Sequence, residues 1–354
     1  MKLNFRFENI FWHVIIDAMA VKKTALITGI TGQDGSYLAE FLLKKGYSVA
    51  GIIRKTSSIR NENINHIQDQ LNLIQADLLD PVSIREAIQT VKPDEIYNLA
   101  SQSVPRESFR QPIHTAEITG IGAHRVLDSA WDIVPKARFY QASSSEMFGW
   151  VKEIPQNEKT PFNPANPYAA AKLYAHNIAK IYRASYKMFI ACGILFNHES
   201  IRRNFAFVTQ KVAYAAACAK LGIRNSDLLN EEGEPIVKNG KVALGNLEAK
   251  RDWGYAGDFV EAMWLMLQQK TPDDFVIGTN ETHTIRELCE EAFNCVGLNY
   301  KDYIEVDPRF IRPTETGPLV GDYTKAKKVL GWEPKVTFKK LIQMMVDANL
   351  ARLK

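Results

Sequence analysis

The chain has little of what marks secreted, membrane-spanning or nucleic-acid-binding proteins. Its 354 residues include only 4 cysteines and no CxxC pair, so neither a disulfide framework nor a metal site is indicated. We expect reduced core thiols in a cytoplasmic protein. No apolar run is long enough to cross a bilayer. The net charge is only +4 and the basic residues are scattered, which argues against nucleic acid as a partner.

A flexible linker and an internal repeat are also lacking, although the length allows two domains. Residues 1–20 mix apolar and charged side chains, make a poor signal peptide and are expected to form a poorly ordered N-terminal extension. We expect a dinucleotide-binding domain, mainly residues 21–200, and a smaller mixed α/β lobe for the substrate, mainly residues 201–354, with some exchange of chain between them. The charged insertion at 224–241 is expected to be a surface excursion.

What the chain does contain is a glycine-rich stretch at 28–35, with the sequence TGITGQDG. An apolar run precedes it, and apolar residues at helical spacing follow it. Gly29 permits a sharp turn, Gly32 the close approach of a phosphate, and Gly35 close packing of the helix on the sheet. The helix N-terminus then favours an anion. A purely structural turn is the alternative, but the flanking strand and helix favour a dinucleotide site.

Strand and helix patterns alternate after this stretch. This alternation predicts an α/β fold, a doubly wound parallel sheet of the Rossmann type. The second predicted strand ends at Arg54, where NAD-selective sites carry an acidic residue that bonds the ribose. Arg54 and the cation and hydroxyls at 55–57 suit a 2′-phosphate instead, so NADP is the expected cofactor. A solvated basic turn is the alternative.

The residues with the clearest chemistry follow the predicted fifth strand and open a later helix. Ser144 and Glu146 lie after that strand, at the carboxyl edge of the sheet where ligands collect. Tyr168 and Lys172 are spaced to share one helix face, so the ammonium group can approach the phenol, lower its pKa and make it a usable base. The Tyr–Lys pair alone fits an ordinary helix face. Combined with Ser144, Glu146 and the glycine stretch, it predicts a redox site.

Beyond these features, the chain resembles a known family, the extended short-chain dehydrogenase/reductases that act on nucleotide sugars. The resemblance runs from Lys23 to the C-terminus and is carried by the segments 27–38, 142–149, 167–172, 193–200 and 251–254. The Asn-His-Glu-Ser run at 197–200 is typical of the branch that dehydrates GDP-mannose. The resemblance implies an NADP-dependent lyase that moves a hydride from C4 to C6 of GDP-mannose, releases water and works as a homodimer or homotetramer.

The match to that family also implies functional residues, and no metal. Catalytic residues would be Ser144, Glu146, Tyr168 and Lys172. Cofactor contacts would be Gly29, Thr31, Gly32, Gln33, Asp34, Gly35, Arg54, Asp77, Leu78, Leu99, Gln102, Ser103, Lys172, His198 and Arg203. Substrate contacts would be Asn197, Val208, Lys211, Arg251, Arg312 and Glu315. The chain departs from the family at 200–204, which lacks the usual Pro and Gly, and at His114, where relatives often have Tyr.

Other functions stay open on the same scaffold. A 4-keto reductase or an epimerase would need Tyr168 and Lys172 but not Glu146, and a 4,6-dehydratase for another nucleotide sugar would need all of them. A non-catalytic regulator that senses a dinucleotide is an alternative of another class. Such proteins tend to lose the Tyr or the Lys, and this chain has both.

Overall fold

The computed structural model describes residues 22–54, 62–311, 314 and 316–354, so the expected extension at 1–20 lies outside the described residues. The strands are β1 Thr24–Thr28, β2 Ser48–Ile53, β3 Leu71–Gln75, β4 Glu95–Asn98, β5 Arg138–Ser144, β6 Ile190–Leu195, β7 Asn197–Glu199, β8 Val242–Leu244, β9 Lys250–Arg251, β10 Trp253–Tyr255, β11 Asp274–Ile277, β12 His283–Thr284 and β13 Ile304–Val306. Within the described residues the main sheet has seven parallel strands, in the order β11-β6-β5-β4-β1-β2-β3.

The α-helices surround this sheet and build the second half of the chain. They are α1 Gln33–Lys44, α2 Pro81–Val91, α3 Pro105–Arg110, α4 Pro112–Thr115, α5 Ala123–Ile133, α6 Pro167–Tyr186, α7 Val208–Lys220, α8 Ala256–Gln268, α9 Ile285–Asn294, α10 Thr324–Leu330 and α11 Phe338–Leu353. A π-helical segment, Ala116–Gly122, joins α4 to α5. Within the described ranges, no helix has both the length and the apolar character needed to cross a bilayer.

Several helix ends follow directly from the local sequence. Asp80 caps α2 by accepting a hydrogen bond from the backbone N–H of Val82, with Pro81 at the first helical position. Thr284 opens α9 in a capping box with Glu287. Gly46, with a φ of 85°, lies just after α1 and lets the chain turn out of that helix.

Both faces of the sheet are covered, as expected for a doubly wound fold. Ala25 and Ile27 of β1 pack with apolar residues of α1 and α8, whereas Leu26 between them points to the other face and packs with residues of α2 and α5. This alternation follows from the period of two along a strand. All three side chains are fully buried. The predicted fold class is confirmed.

The second half of the chain both extends the sheet and builds its own core. Strand β11 pairs with β6, and α8 packs against the first half, while α7, α9 and α11 enclose a second cluster of buried side chains. Ile236 and Val237 of the insertion at 224–241 belong to this second cluster, each only 3% exposed. Most of the insertion lies at the surface, as expected, and its Ile236 and Val237 side chains in addition complete a core. The domain boundary near residue 200 stays a prediction.

Candidate active site

The glycine stretch forms the turn between β1 and α1, beside the end of β4 where the strand order reverses. Gly29 has a φ of 73°, and a Cβ there would lie 3.0 Å from Cα of Ala100. At Gly35 a Cβ would lie 2.3 Å from the Gly29 carbonyl oxygen, so this glycine packs the helix on the turn itself rather than on the sheet. Gly32 is the N-cap of α1, and no side chain caps that end. The turn therefore presents a helix N-terminus suited to an anion.

Asp34 and His198 form an ion pair between α1 and β7. His198 Nε2 lies 2.8 Å from Asp34 Oδ2, and Nδ1 lies 2.7 Å from the carbonyl oxygen of Phe196. Burial favours neutral Asp34, but His198, the hydrogen bond from Gln33 and the charge of Arg203 outweigh it and lower the Asp34 pKa to about 2. Burial lowers the pKa of His198, yet the Asp34 carboxylate raises it overall. Asp34, Gln33 and His198, all predicted cofactor contacts, therefore lie together and interact with one another.

Ser144 and Glu146 lie side by side where β5 ends. Ser144 Oγ accepts a hydrogen bond of 3.2 Å from the backbone N–H of Glu146 and caps the short 3-10 helix Ser145–Phe148. Both side chains are buried, with Ser144 8% and Glu146 7% exposed. The two residues therefore lie at the carboxyl edge of the sheet, where the sequence predicts them.

Asn166 holds the Glu146 carboxylate and was missed in the sequence analysis. As the N-cap of α6, its Oδ1 accepts a hydrogen bond of 2.8 Å from the N–H of Ala169. Its Nδ2 donates a hydrogen bond of 2.9 Å to Glu146 Oε2. The sequence Asn166-Pro167 signals a helix start. The second bond joins residues 20 apart and has no local signal.

Tyr168 and Lys172 lie on the first turns of α6 and are both buried. Lys172 Nζ donates a hydrogen bond of 2.8 Å to the carbonyl of Ala142 and lies 5.8 Å from the centroid of the Tyr168 ring. Burial lowers the pKa of Lys172 to about 8. Burial also raises the pKa of Tyr168, with opposing effects from the Ser144 hydrogen bond and from Arg203. The expectation that Lys172 gives this phenol a lowered pKa is therefore wrong for the structure described.

The other predicted cofactor contacts lie along the same edge of the sheet. Arg54 is exposed after β2, and the residues at 55–57 lie outside the described ranges. Asp77 Oδ1 accepts a hydrogen bond from the N–H of Leu79. Gln102 Oε1 is buried without a hydrogen-bond partner among the described residues. The positions that remain are buried Leu78, partly buried Thr31 and Leu99, and exposed Ser103.

A cavity lies between the carboxyl edge of the sheet and the second half of the chain. Its lining includes predicted substrate contacts, namely Asn197, Val208, Lys211 and Arg251. Arg312 and Glu315, the other two predicted contacts, lie outside the described residues. The cavity is also lined by residues that the sequence analysis did not single out, Arg106, Arg110 and Glu231.

Arg203 connects this cavity to the buried cluster that contains Tyr168. Its Nε lies 2.8 Å from Glu199 Oε2, and its guanidinium lies 3.4 Å from the centroid of the Phe207 ring. Glu199 and Phe207 both line the cavity. Burial raises the pKa of Tyr168, and the charge of Arg203 offsets part of that rise. The structure therefore brings the phenol and the cavity into one electrostatic environment.

The chain is similar over most of its length to proteins of one known family. The model of the family described as GDP-mannose 4,6 dehydratase matches residues 26–345. The chain belongs to the GDP-mannose 4,6-dehydratase family. It is 49% identical over 341 residues to GDP-mannose 4,6 dehydratase 2 of Arabidopsis thaliana, covering 93% of this chain and 87% of that protein. It is 45% identical over 356 residues to GDP-mannose 4,6 dehydratase of Homo sapiens, covering 93% and 92%.

Solved structures share the fold of this GDP-mannose 4,6-dehydratase family member. UDP-glucose 4-epimerase from Thermotoga maritima, solved with UDP-glucose, superposes with a TM-score of 0.80 at 24% identity, covering 94% of this chain and all (100%) of that one. UDP-glucose 4-epimerase from Thermus thermophilus, solved with NAD, superposes with a TM-score of 0.78 at 25% identity, covering 92% and 98%. The catalytic, cofactor and substrate roles predicted for individual residues are tested by neither comparison and stay predictions.

Proposed function

We propose that the chain removes water from GDP-mannose to give GDP-4-keto-6-deoxymannose, with NADP as a cofactor that is regenerated in each cycle. The observation that carries this proposal is the buried cluster at the end of β5 in a chain of this family. Ser144, Glu146 and Tyr168 share that cluster, which supplies a hydroxyl, a carboxylate and a phenol at the sheet edge that favours ligands.

The residues at the glycine turn fit a dinucleotide. The N-terminus of α1 has no side-chain cap, which leaves its first N–H groups available to a pyrophosphate. The buried Gln102 Oε1, orphaned among the described residues, offers an acceptor at the same edge of the sheet. The exposed guanidinium of Arg54 after β2 supports NADP over NAD, since it suits a 2′-phosphate. When bound, the nicotinamide supplies hydride chemistry, accepting a hydride from C4 of the sugar and returning it to C6.

Tyr168 and Lys172 serve the first half of the reaction. Tyr168 takes the proton of the sugar 4-hydroxyl as the C4 hydride leaves, which produces a 4-ketone. The hydrogen bond from Ser144 and the charge of Arg203 both favour the phenolate, while burial opposes it. Lys172, held by the Ala142 carbonyl, places a cation near the same ring.

Glu146 serves the second half. The new ketone acidifies the hydrogen on C5, and the carboxylate removes that proton and delivers it to the departing 6-hydroxyl, which leaves as water. Ser144 hydrogen-bonds the reacting oxygens. A proton equivalent to the one taken from the 4-hydroxyl returns to C5 as the hydride reaches C6, so the sum of the steps is the loss of one water.

The decisive experiment is turnover of GDP-mannose by the purified chain with a catalytic amount of NADP. We expect the 4-keto-6-deoxy product with no net NADPH. A 4-keto reductase would instead consume NADPH, an epimerase would return an isomeric hexose without loss of water, and a sensor would bind NADP without turnover. The homodimer or homotetramer stays a prediction that sedimentation of the same sample would test.

The carboxylate assignment is tested by Glu146→Gln. This variant should bind NADP like the wild-type chain but lose about 100-fold or more in turnover, because general acid–base groups contribute on that order. The exposed Glu153 of the same segment provides the matched control, Glu153→Gln, which should be unaffected. Wild-type turnover by Glu146→Gln would exclude Glu146 as the base.

A further inference from the structure

The face of α6 that carries Tyr168 and Lys172 continues to His176, one further turn along the helix. His176 Nδ1 lies 2.9 Å from Oγ of Ser143 in β5. Lys172 makes the corresponding contact one turn earlier, with a hydrogen bond of 2.8 Å to the carbonyl oxygen of Ala142. Two successive turns of the helix are therefore attached to two successive residues of the strand.

His176 is buried where α6 meets β5 and β11, with only 1% of its surface exposed. Its Nε2 lies 3.8 Å from Oδ2 of Asp274, too far for a hydrogen bond, and the ring of Phe162 lies edge-on at 5.2 Å between ring centroids. Burial lowers the pKa of His176 to about 4, against the opposing charge of Asp274. The cations Lys180 and Arg183 of the same helix reinforce this shift, so the imidazole is neutral at pH 7.

The bond between His176 and Ser143 has a definite direction. A neutral imidazole has one N–H donor and one acceptor nitrogen. The Asp274 carboxylate favours the tautomer with the proton on Nε2, the nitrogen that faces it. The Ser143 hydroxyl then donates its hydrogen bond to Nδ1. Because Ser143 is only 3% exposed, loss of either partner would leave the other buried without this bond, which is costly.

Ser143, His176 and Asp274 are the residue types of a hydrolytic triad, but their geometry does not support one. A triad needs a serine that a substrate can reach and a carboxylate that hydrogen-bonds the imidazole. Here all three side chains are buried, and the carboxylate is too distant from the ring for such a bond. The three residues therefore support the neighbouring site instead of catalysing a reaction of their own.

We propose that His176 is a positioning residue, which through its bond to Ser143 fixes α6 against β5 and so sets the place of Tyr168. This inference rests on the proposed function for the reaction in which the phenol takes part. Ser144 is the next residue of β5, and its side chain forms a hydrogen bond with Tyr168. A displacement of α6 along β5 would lengthen this contact but leave the glycine turn and the cavity in place, since other elements build them.

The first test measures turnover of GDP-mannose per bound NADP, so that unfolded protein is not counted. His176→Phe keeps a ring but has no acceptor for Ser143, and kcat should fall about tenfold because small displacements of reacting groups are costly. The KM for GDP-mannose and the dissociation constant of NADP should stay at their wild-type values. Ser143→Ala removes the same bond by a smaller change and should lose kcat equally, with no further loss when the two are combined. Asn177→Ala, at the exposed neighbouring position of α6, is the control and should match the wild-type chain.

Two conservative replacements separate positioning from packing. Asn carries its amide as many bonds from Cα as Nδ1 of histidine, so His176→Asn can still bond Ser143 and should retain most of kcat. Gln is closer to histidine in size but carries its amide where Nε2 lies, so His176→Gln should behave like His176→Phe. If Asn were no better than Gln, or if folded His176→Phe or Ser143→Ala kept the wild-type kcat, the proposal would be overturned.

A third measurement needs no substrate. The amide exchange of residues 169–172 should be faster in His176→Phe and Ser143→Ala than in the wild-type chain and in His176→Asn, because α6 is less firmly held. Unchanged exchange in Ser143→Ala and in folded His176→Phe would overturn the proposal. Absence of turnover by the wild-type chain would reject the proposed function alone, whereas the exchange decides whether this bond holds the helix.

Discussion

At the scale of single residues, Asn166 combines two roles in one side chain. One end of its amide caps α6 and the other end holds Glu146. Asn166→Ser keeps an oxygen for the cap but removes the donor to the carboxylate. We expect kcat to fall about tenfold, with an unchanged NADP dissociation constant and a nearly unchanged melting temperature. Exchange of the C5 hydrogen with D2O should slow in parallel.

Asn166→Ala provides the comparison, since it removes both bonds. It should lose the same activity and, in addition, about 1 kcal/mol of unfolding free energy, the usual cost of a lost cap. If Asn166→Ser retained wild-type kcat while Asn166→Ala lost activity only together with stability, the asparagine would be a helix cap and nothing more.

Lys172 shows how the burial of a cation lowers stability. Its folded pKa of about 8 lies below the ordinary value of 10.5 because the ammonium is buried. The native state therefore disfavours the charged form, which lowers the free energy of unfolding. This loss of stability is greatest below about pH 8 and disappears as the pH rises through 10.5. Lys172→Met should raise the unfolding free energy at pH 7 by on the order of 1–3 kcal/mol while abolishing turnover.

Urea unfolding at pH 7 and pH 10.5 measures this effect, and the gain should shrink at the higher pH. Lys180→Met is the control on the same helix, since Lys180 is 48% exposed and should change stability little. Equal stability of Lys172→Met and wild type at pH 7 would show that the Ala142 bond already offsets the burial of the charge.

At the scale of elements, the Asp34–His198 pair joins α1 to β7. The lowered Asp34 pKa adds stability that is present above the ordinary value of 3.8 and lost as the pH falls to about 2. The raised His198 pKa adds stability that is present below 6.5 and lost as the pH rises through the folded value. The pair therefore stabilises most between about pH 4 and 6.5. His198→Gln should lower the melting temperature more at pH 5.5 than at pH 9.

A pH series of thermal melts on both chains measures this difference. The control is His66→Gln, since His66 also faces a carboxylate, Glu40, but is 52% exposed and should contribute little at either pH. An equal loss at pH 5.5 and pH 9 in His198→Gln would attribute the effect to lost stacking on Phe259, which lies 4.6 Å away between ring centroids, rather than to charge.

At this scale, the sequence predicts well those features that depend on residues close to one another in the chain. The glycine turn was predicted in this way and the structure confirms it. The Asp80-Pro81 start of α2 and the Thr284 start of α9 likewise depend on contacts within a few residues. The anchoring of the insertion at 224–241 was not predicted, because Ile236 and Val237 pack in a cluster that includes α9 and α11, far away in the chain. The Asn166–Glu146 bond and the Tyr168 pKa escaped prediction for the same reason, since burial and distant charges set both.

At the scale of the whole molecule, the two halves share one core. Phe259, Met263 and Phe275, all from beyond residue 200, are buried in the same cluster as β1 and α1. A chain limited to residues 22–200 would expose that cluster, so it should not unfold cooperatively in urea, whereas the full chain should show one transition, coincident by circular dichroism and tryptophan fluorescence. A chain of residues 22–354 is the control and should match the full chain. A cooperative transition for residues 22–200 alone would mean that the sheet does not need β11 and α8 to close its core, and that the predicted domain boundary is also a folding boundary.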